Sequence, residues 1–161
     1  MVDTDHNSVP RKMSKAVHSV TMLLSVSSAV PGLWAVWESH ALADPPIPHM
    51  FSLHSWLGMV TMILMAVQLI VGLLIFLFPC APSRVRGGYH HLHVYFGLTF
   101  LVLVTATAMI GLTEEALFSL SSSYTQLPGK GVLLNLIGLF LLTFTSTVIF
   151  IATKSSFKLL D

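Results

Sequence analysis

The sequence has little charge and almost no cysteine, and both scarcities limit what the protein can be. Only 9% of its 161 residues are charged, whereas 54% are hydrophobic. A chain of this composition cannot cover an apolar core with a polar surface, which excludes an ordinary soluble domain. The single cysteine, Cys80, excludes an internal disulfide and a thiolate metal cluster. The sequence therefore predicts an integral membrane protein.

Long apolar runs are what the sequence has in abundance. Backbone groups in lipid must form hydrogen bonds within their own segment, so each run is predicted to be a helix. The fold class is an all-α membrane protein, with a disordered N-terminal stretch at residues 1–10 and one transmembrane domain at residues 11–161. Four runs reach the roughly 20 residues that a bilayer core requires, and they cover residues 16–37, 53–78, 92–112 and 131–153.

Basic residues indicate the orientation of these spans. Seven of the eight lie on one side: Arg11, Lys12, Lys15, Arg84, Arg86, Lys154 and Lys158. By the positive-inside rule that side, with both termini, is predicted to be cytoplasmic. An Ala-x-Ala pattern at Ala41 and Ala43 leaves open a cleaved signal peptide, although the first run of about 22 residues exceeds the roughly 7 to 15 expected of one.

Histidine is frequent for so apolar a chain, with eight residues. His18 begins the first span and His93 begins the third, and because these spans run in the same direction both imidazoles are expected near the cytoplasmic face. His40 ends the first span and His54 begins the second, so both are expected near the opposite face. A single histidine at a helix end can be a simple interfacial anchor. Paired histidines at two depths favour a functional role, because ionisable groups at membrane depth usually face the bundle interior.

Two neutral imidazoles on separate helices suit one cofactor in particular. They can supply both axial ligands of a haem iron, which leaves no open position for oxygen and favours electron transfer. Zinc is the alternative, since "YHHLHV" offers His90, His91 and His93. A zinc site requires three or four clustered donors, however, and no carboxylate or thiolate lies near these histidines on that face.

Several motifs carry a resemblance to a known family. The strings "HMFSLHSWLG", "GLLIFLFPCAP", "HVYFG", "GLTEEALFSL" and "LPGKGVLLNLIGL" occur in the order typical of the cytochrome b561 family. The chain resembles this family from about Lys12 to Phe157. The family consists of transmembrane dihaem cytochromes that pass electrons from ascorbate across a membrane. The resemblance implies that the four spans are part of a six-helix haem-binding bundle.

The resemblance also implies roles for individual histidines. His18 and His93 match the axial ligands of the cytoplasmic haem, His54 matches a ligand of the outer haem, and His40 matches a position associated with outer substrate. The family places two further helices ahead of the first span, one of which carries the partner of His54. This sequence has "MVDTDHNSVP" in that place, so one haem b is expected and a second haem stays open. Two explanations of the difference also stay open: a shortened splice form or gene model, and a natural chain that holds one haem. His91 is an alternative ligand to its neighbour His93.

Basic residues near the cytoplasmic histidines suggest a binding site for ascorbate, which is a monoanion at neutral pH. Arg11 and Lys15 lie seven and three residues before His18, and Arg86 lies seven residues before His93. The family carries basic ascorbate-binding residues at these positions, with lysine usual where this chain has Arg11. The alternative is that all three only set topology.

Two functions from different classes follow. The first is an ascorbate-dependent transmembrane oxidoreductase of the ferric reductase type, which delivers electrons to monodehydroascorbate or ferric iron. The second is a truncated, haem-poor membrane protein with a structural or partner-binding role. Both expect a lipid bilayer and no nucleic acid. A homodimer stays open, and so does the choice among vesicle, lysosomal and plasma membranes.

Overall fold

Four long helices make up most of the chain. A computed structural model describes residues 8–78 and 81–157, with side chains described for residues 13–78 and 81–154. This part of the chain is 89% helical and contains no strand, which confirms the predicted all-α class. All four helices are long and apolar enough to cross a membrane. They are α1 (Ser8–Ala41), α2 (Leu53–Gly72), α3 (Ser83–Leu120) and α4 (Gly129–Phe157).

Helices α1, α3 and α4 extend beyond the predicted spans because apolar runs report only the lipid-facing part of a helix, whereas α2 and the turn that follows it stay within the predicted span. The third helix shows this best, since it has 38 residues and continues into a 3-10 turn at Ser121–Gln126. A π-helical turn at Leu73–Leu77 follows α2 directly. Residues 1–7, which form most of the stretch predicted to be disordered, lie outside the described residues, as does Cys80.

Reciprocal serine hydrogen bonds fix the start of α2. The backbone N–H of Ser55 donates to Oγ of Ser52 at 3.3 Å, and the backbone N–H of Ser52 donates to Oγ of Ser55 at 3.1 Å. This is a capping box with serine at the third helical position. It holds the first helical turn, which contains His54, in one orientation.

Few side chains are buried within the described chain. Among the hydrophobic residues described, only Met65 and Ala116 are buried, and large apolar side chains cover the surfaces of all four helices. Lipid tails are as apolar as leucine, so exposed apolar surface is what a membrane-spanning chain requires. Helix association must then depend on close contacts and on polar pairs.

The chain forms two compact units. The first unit contains α1 and Met62–Phe96, and the second contains Ser52–Thr61, the chain from Gly97 and α4. In the second unit, the hydroxyl oxygens of the buried residues Thr105 and Thr145 lie 2.6 Å apart and join α3 to α4. Nζ of Lys130 donates to Oε1 of Glu115 at 2.6 Å, between partly exposed side chains.

Candidate functional site

His18 of α1 and His93 of α3 face each other in the first unit. Their ring centroids are 6.3 Å apart, and the ring planes are almost perpendicular at 87°. An iron bound by both rings, with bonds of about 2 Å and each nitrogen about 1.2 Å from its ring centre, would hold the centroids about 6.4 Å apart. Each ring can rotate about its own bond to the metal, so perpendicular planes are compatible with this spacing. The spacing and the angle are therefore compatible with both rings holding one iron.

The surroundings of the His93 imidazole support the same fit. Its Nδ1 atom is buried and has no hydrogen-bond partner among the described residues. Phe76 from the π-helical turn lies against the ring, with centroids 5.1 Å apart, and Tyr89 lies 6.3 Å away. A polar atom buried among aromatic rings is unfavourable unless it binds something. A haem beside this ring fits the apolar surroundings and provides an iron for an imidazole nitrogen.

His54 is oriented by a backbone carbonyl in the second unit. Its Nδ1 lies 2.9 Å from the carbonyl oxygen of Thr107. A carbonyl can only accept, so Nδ1 must carry the proton and donate it, which leaves the lone pair of Nε2 free for a metal. This arrangement is typical of metal-binding histidines. His54 is the one histidine of its unit, so that unit brings no second imidazole to it.

The zinc alternative requires a cluster that the structure does not form. Within residues 8–78 and 81–157, no group of three or more His, Cys, Asp or Glu side chains is arranged to hold a metal. The rings of His90 and His91 lie 5.8 Å apart and are exposed. The described histidines of "YHHLHV" thus belong to no group of three or more such side chains.

The predicted ascorbate residues flank this pair along the helices. Lys15 is exposed and lies about one turn before His18, and Arg86 is half-buried and lies about two turns before His93. Each therefore shares a helix face with its histidine. Neither forms an ion pair with a carboxylate in the described part of the chain, so both charges are uncompensated there. The Arg11 side chain lies outside the described residues.

His40 is part of an aromatic stack that sequence reasoning missed. The ring of His49 stacks on Trp37 with centroids 3.8 Å apart and planes 7° apart, and His40 lies 5.6 Å from His49. Phe51 lies 6.2 Å from His40 on another side. The backbone N–H of Ile47 donates to the carbonyl of His40 at 3.0 Å, which turns the loop back toward the end of α1. No sequence pattern indicates this path of the loop.

Comparison with known proteins shows the family of the chain. The family model for eukaryotic cytochrome b561 matches residues 4–119. The chain belongs to the cytochrome b561 family. Membership implies b-type haem as the cofactor.

Individual members of the cytochrome b561 family show the extent of the similarity. Transmembrane ascorbate-dependent reductase CYB561 of Sus scrofa is 36% identical over 148 residues, which cover 92% of this chain and 58% of the relative. Plasma membrane ascorbate-dependent reductase CYBRD1 of Rattus norvegicus is 37% identical over 147 residues, which cover 91% of this chain and 51% of the relative. The chain thus spans about half the length of the curated relatives it matches.

Proposed function

We propose that this chain is a transmembrane b-type cytochrome that takes electrons from cytoplasmic ascorbate and passes them toward an outer acceptor, either monodehydroascorbate or ferric iron. The observation that carries the proposal is the pair of imidazoles 6.3 Å apart, with the buried Nδ1 atom of His93 unpartnered among the described residues. The relatives are named as ascorbate-dependent reductases, which supports the choice of donor.

The proposed roles divide among the histidines by position. His18 and His93 would hold one haem, and His54 would offer Nε2 to a second haem, whose presence stays open. Haem held by His18 and His93 would supply one-electron transfer without oxygen binding. His40, beside the Trp37 and His49 stack, contacts the outer acceptor.

The basic residues bind the donor. Lys15 and Arg86, joined by Arg11, attract the ascorbate monoanion and hold it beside His18 and His93. Oxidation of the ascorbate monoanion by one electron also releases one proton and gives monodehydroascorbate. The site must therefore be open to water, which accepts the proton, and the exposed Lys15 side chain meets this requirement.

Ligand replacement tests the proposal. His18→Ala and His93→Ala should each lose the low-spin b-type spectrum that ascorbate produces in the wild type. His91→Ala is the matched control, because it removes an exposed imidazole two residues from His93. A colourless wild type would support the structural alternative instead. A normal reduced spectrum in both single variants would overturn the assignment, and loss in His91→Ala alone would move the ligand to His91.

A second measurement addresses transfer across the membrane. The protein is inserted into liposomes that enclose ferricyanide, with its predicted cytoplasmic face outward. Ascorbate added outside should then reduce the enclosed ferricyanide. His54→Ala should slow this reaction while leaving the spectrum of the other haem unchanged. A rate equal to that of protein-free liposomes would contradict the transmembrane role.

A further inference from the structure

Helices α2 and α3 share one spacing of histidine and glycine. Gly72 follows His54 by eighteen residues on α2, and Gly111 follows His93 by eighteen residues on α3. Eighteen residues make about five helical turns, so each histidine lies on the same face of its helix as the glycine. The same pattern therefore occurs on the two helices that carry His54 and His93.

Each unit contains one contact between a histidine of one of these helices and a glycine of the other. In the second unit, the His54 ring of α2 lies against Gly111 of α3, and in the first unit the His93 ring of α3 lies against Gly72 of α2. A Cβ atom on Gly111 would be 2.7 Å from Cε1 of His54, and one on Gly72 would be 3.1 Å from Cε1 of His93. Carbon atoms in contact are normally about 3.5 to 4.0 Å apart. Any side chain at either glycine would thus displace the imidazole, and more so at Gly111.

The hydrogen bonds show what each glycine makes accessible. Thr107, whose carbonyl accepts from His54, lies four residues before Gly111 on α3. Gln68, whose Nε2 donates to the carbonyl of His93 at 2.8 Å, lies four residues before Gly72 on α2. A helical Cβ tilts toward the N-terminus and covers the preceding turn. A Cβ atom at Gly111 would therefore cover the turn of α3 that contacts His54, and a Cβ atom at Gly72 would cover the turn of α2 that contacts His93.

We propose that Gly72 and Gly111 are positioning residues for the haem-binding histidines, which orient the imidazoles of His93 and His54 by leaving space for them. This inference rests on the proposed haem function. The competing explanation is that these glycines only allow helices to pack closely. Gly58 provides the contrast, because a Cβ atom there would lie 3.5 Å from Cγ2 of Thr107, which is ordinary contact.

Gly72→Ala tests the His93 half of the proposal through the cofactor itself. We expect haem binding about 10-fold weaker, the effect typical of losing a group that orients a metal ligand. The midpoint potential and the low-spin electron paramagnetic resonance signal should shift as well. Gly58→Ala and Gly32→Ala are matched controls, and both should retain wild-type haem content, because a Cβ atom on Gly32 meets nothing within 4 Å.

Gly111→Ala is tested without relying on haem. Nitrogen-15 NMR of histidine-labelled protein should show His54 protonated at Nδ1 in the wild type, as the bond to Thr107 requires. Gly111→Ala should convert His54 to a mixture of tautomers, whereas Gly58→Ala should not. An unchanged Nδ1 proton in Gly111→Ala would overturn this half of the inference.

Two further readouts separate positioning from packing and from failure of the proposed function. Thermal unfolding of haem-free protein should be the same for Gly72→Ala and the wild type, and a large loss of stability would indicate packing instead. Retention of haem by His93→Ala would refute the proposed function. Loss of haem by His93→Ala, combined with wild-type haem affinity and potential in Gly72→Ala, would refute the positioning role alone.

Discussion

Removal of the two described basic residues beside the histidine pair should weaken reduction by ascorbate in a salt-dependent way. The change is the double variant Lys15→Gln, Arg86→Gln, which deletes two positive charges without adding negative ones. Because neither residue is in an ion pair with a described carboxylate, the substitution leaves no described acidic partner unpaired.

The size of the effect follows from exposure and helical spacing. Lys15 is exposed and about one turn from His18, so its charge acts largely through water. At a separation of about 7 Å in water, two unit charges interact by about 0.6 kcal/mol, or a factor of about three in affinity. Arg86 is half-buried and should contribute at least as much. The ascorbate concentration for half-maximal reduction should therefore rise about 10-fold at low salt, and by only about two- to threefold at physiological ionic strength.

Stopped-flow reduction of the haem at several ionic strengths measures this directly. Dithionite reduction provides a check that the haem itself is intact. Lys154→Gln is the matched control, since it removes an exposed charge from the last turn of α4, on the face predicted to be cytoplasmic. Equal ascorbate kinetics in the double variant and the wild type would refute the reasoning. An equal effect of Lys154→Gln would show that these charges act only through the general surface potential.

Two stability predictions concern the second unit. Thr145→Val should cost about 0.6 kcal/mol in equilibrium unfolding, close to the average for hydrogen bonds between transmembrane helices, whereas Thr143→Val should cost little because that hydroxyl bonds within its own helix. A cost above about 2 kcal/mol would mean that Thr105 and Thr145 do more than this bond. Ser52→Ala should cost about 1 kcal/mol by removing the cap before His54, and Ser52→Gly only a few tenths. Equal costs for both substitutions would argue against the cap.

The sequence predicts the helices and one histidine pair because each depends on a single chain property. Apolar runs identify all four spans, and the shared direction of the first and third spans predicts that His18 and His93 lie at one level. The structure brings these two rings to 6.3 Å. Helix ends were less predictable for α1, α3 and α4, whose ends lie outside the apolar runs, whereas the start of α2 at Leu53 was predicted.

The contacts that orient the histidines were not predicted, for a different physical reason. The approach of His54 to the Thr107 carbonyl depends on the register between α2 and α3. Neither helix alone determines that register, because a shift of one residue between the helices would place the His54 ring against a different part of α3. The histidine-to-glycine spacing is visible in the sequence. Only the structure shows that Gly111 lies against the His54 ring and Gly72 against the His93 ring.

The Nδ1 atoms of His54 and His93 differ in their hydrogen bonding, and this difference has a consequence for haem binding. The Nδ1 proton of His54 is bound to a helix carbonyl, so this ring is stable with or without a metal. The buried Nδ1 of His93 has no partner among the described residues, and a buried unpaired polar atom costs about 1 to 3 kcal/mol. If His93 binds haem through this nitrogen, the penalty is removed on binding. Haem bound between His18 and His93 should then stabilise the first unit, whereas haem bound to His54 would relieve no such penalty.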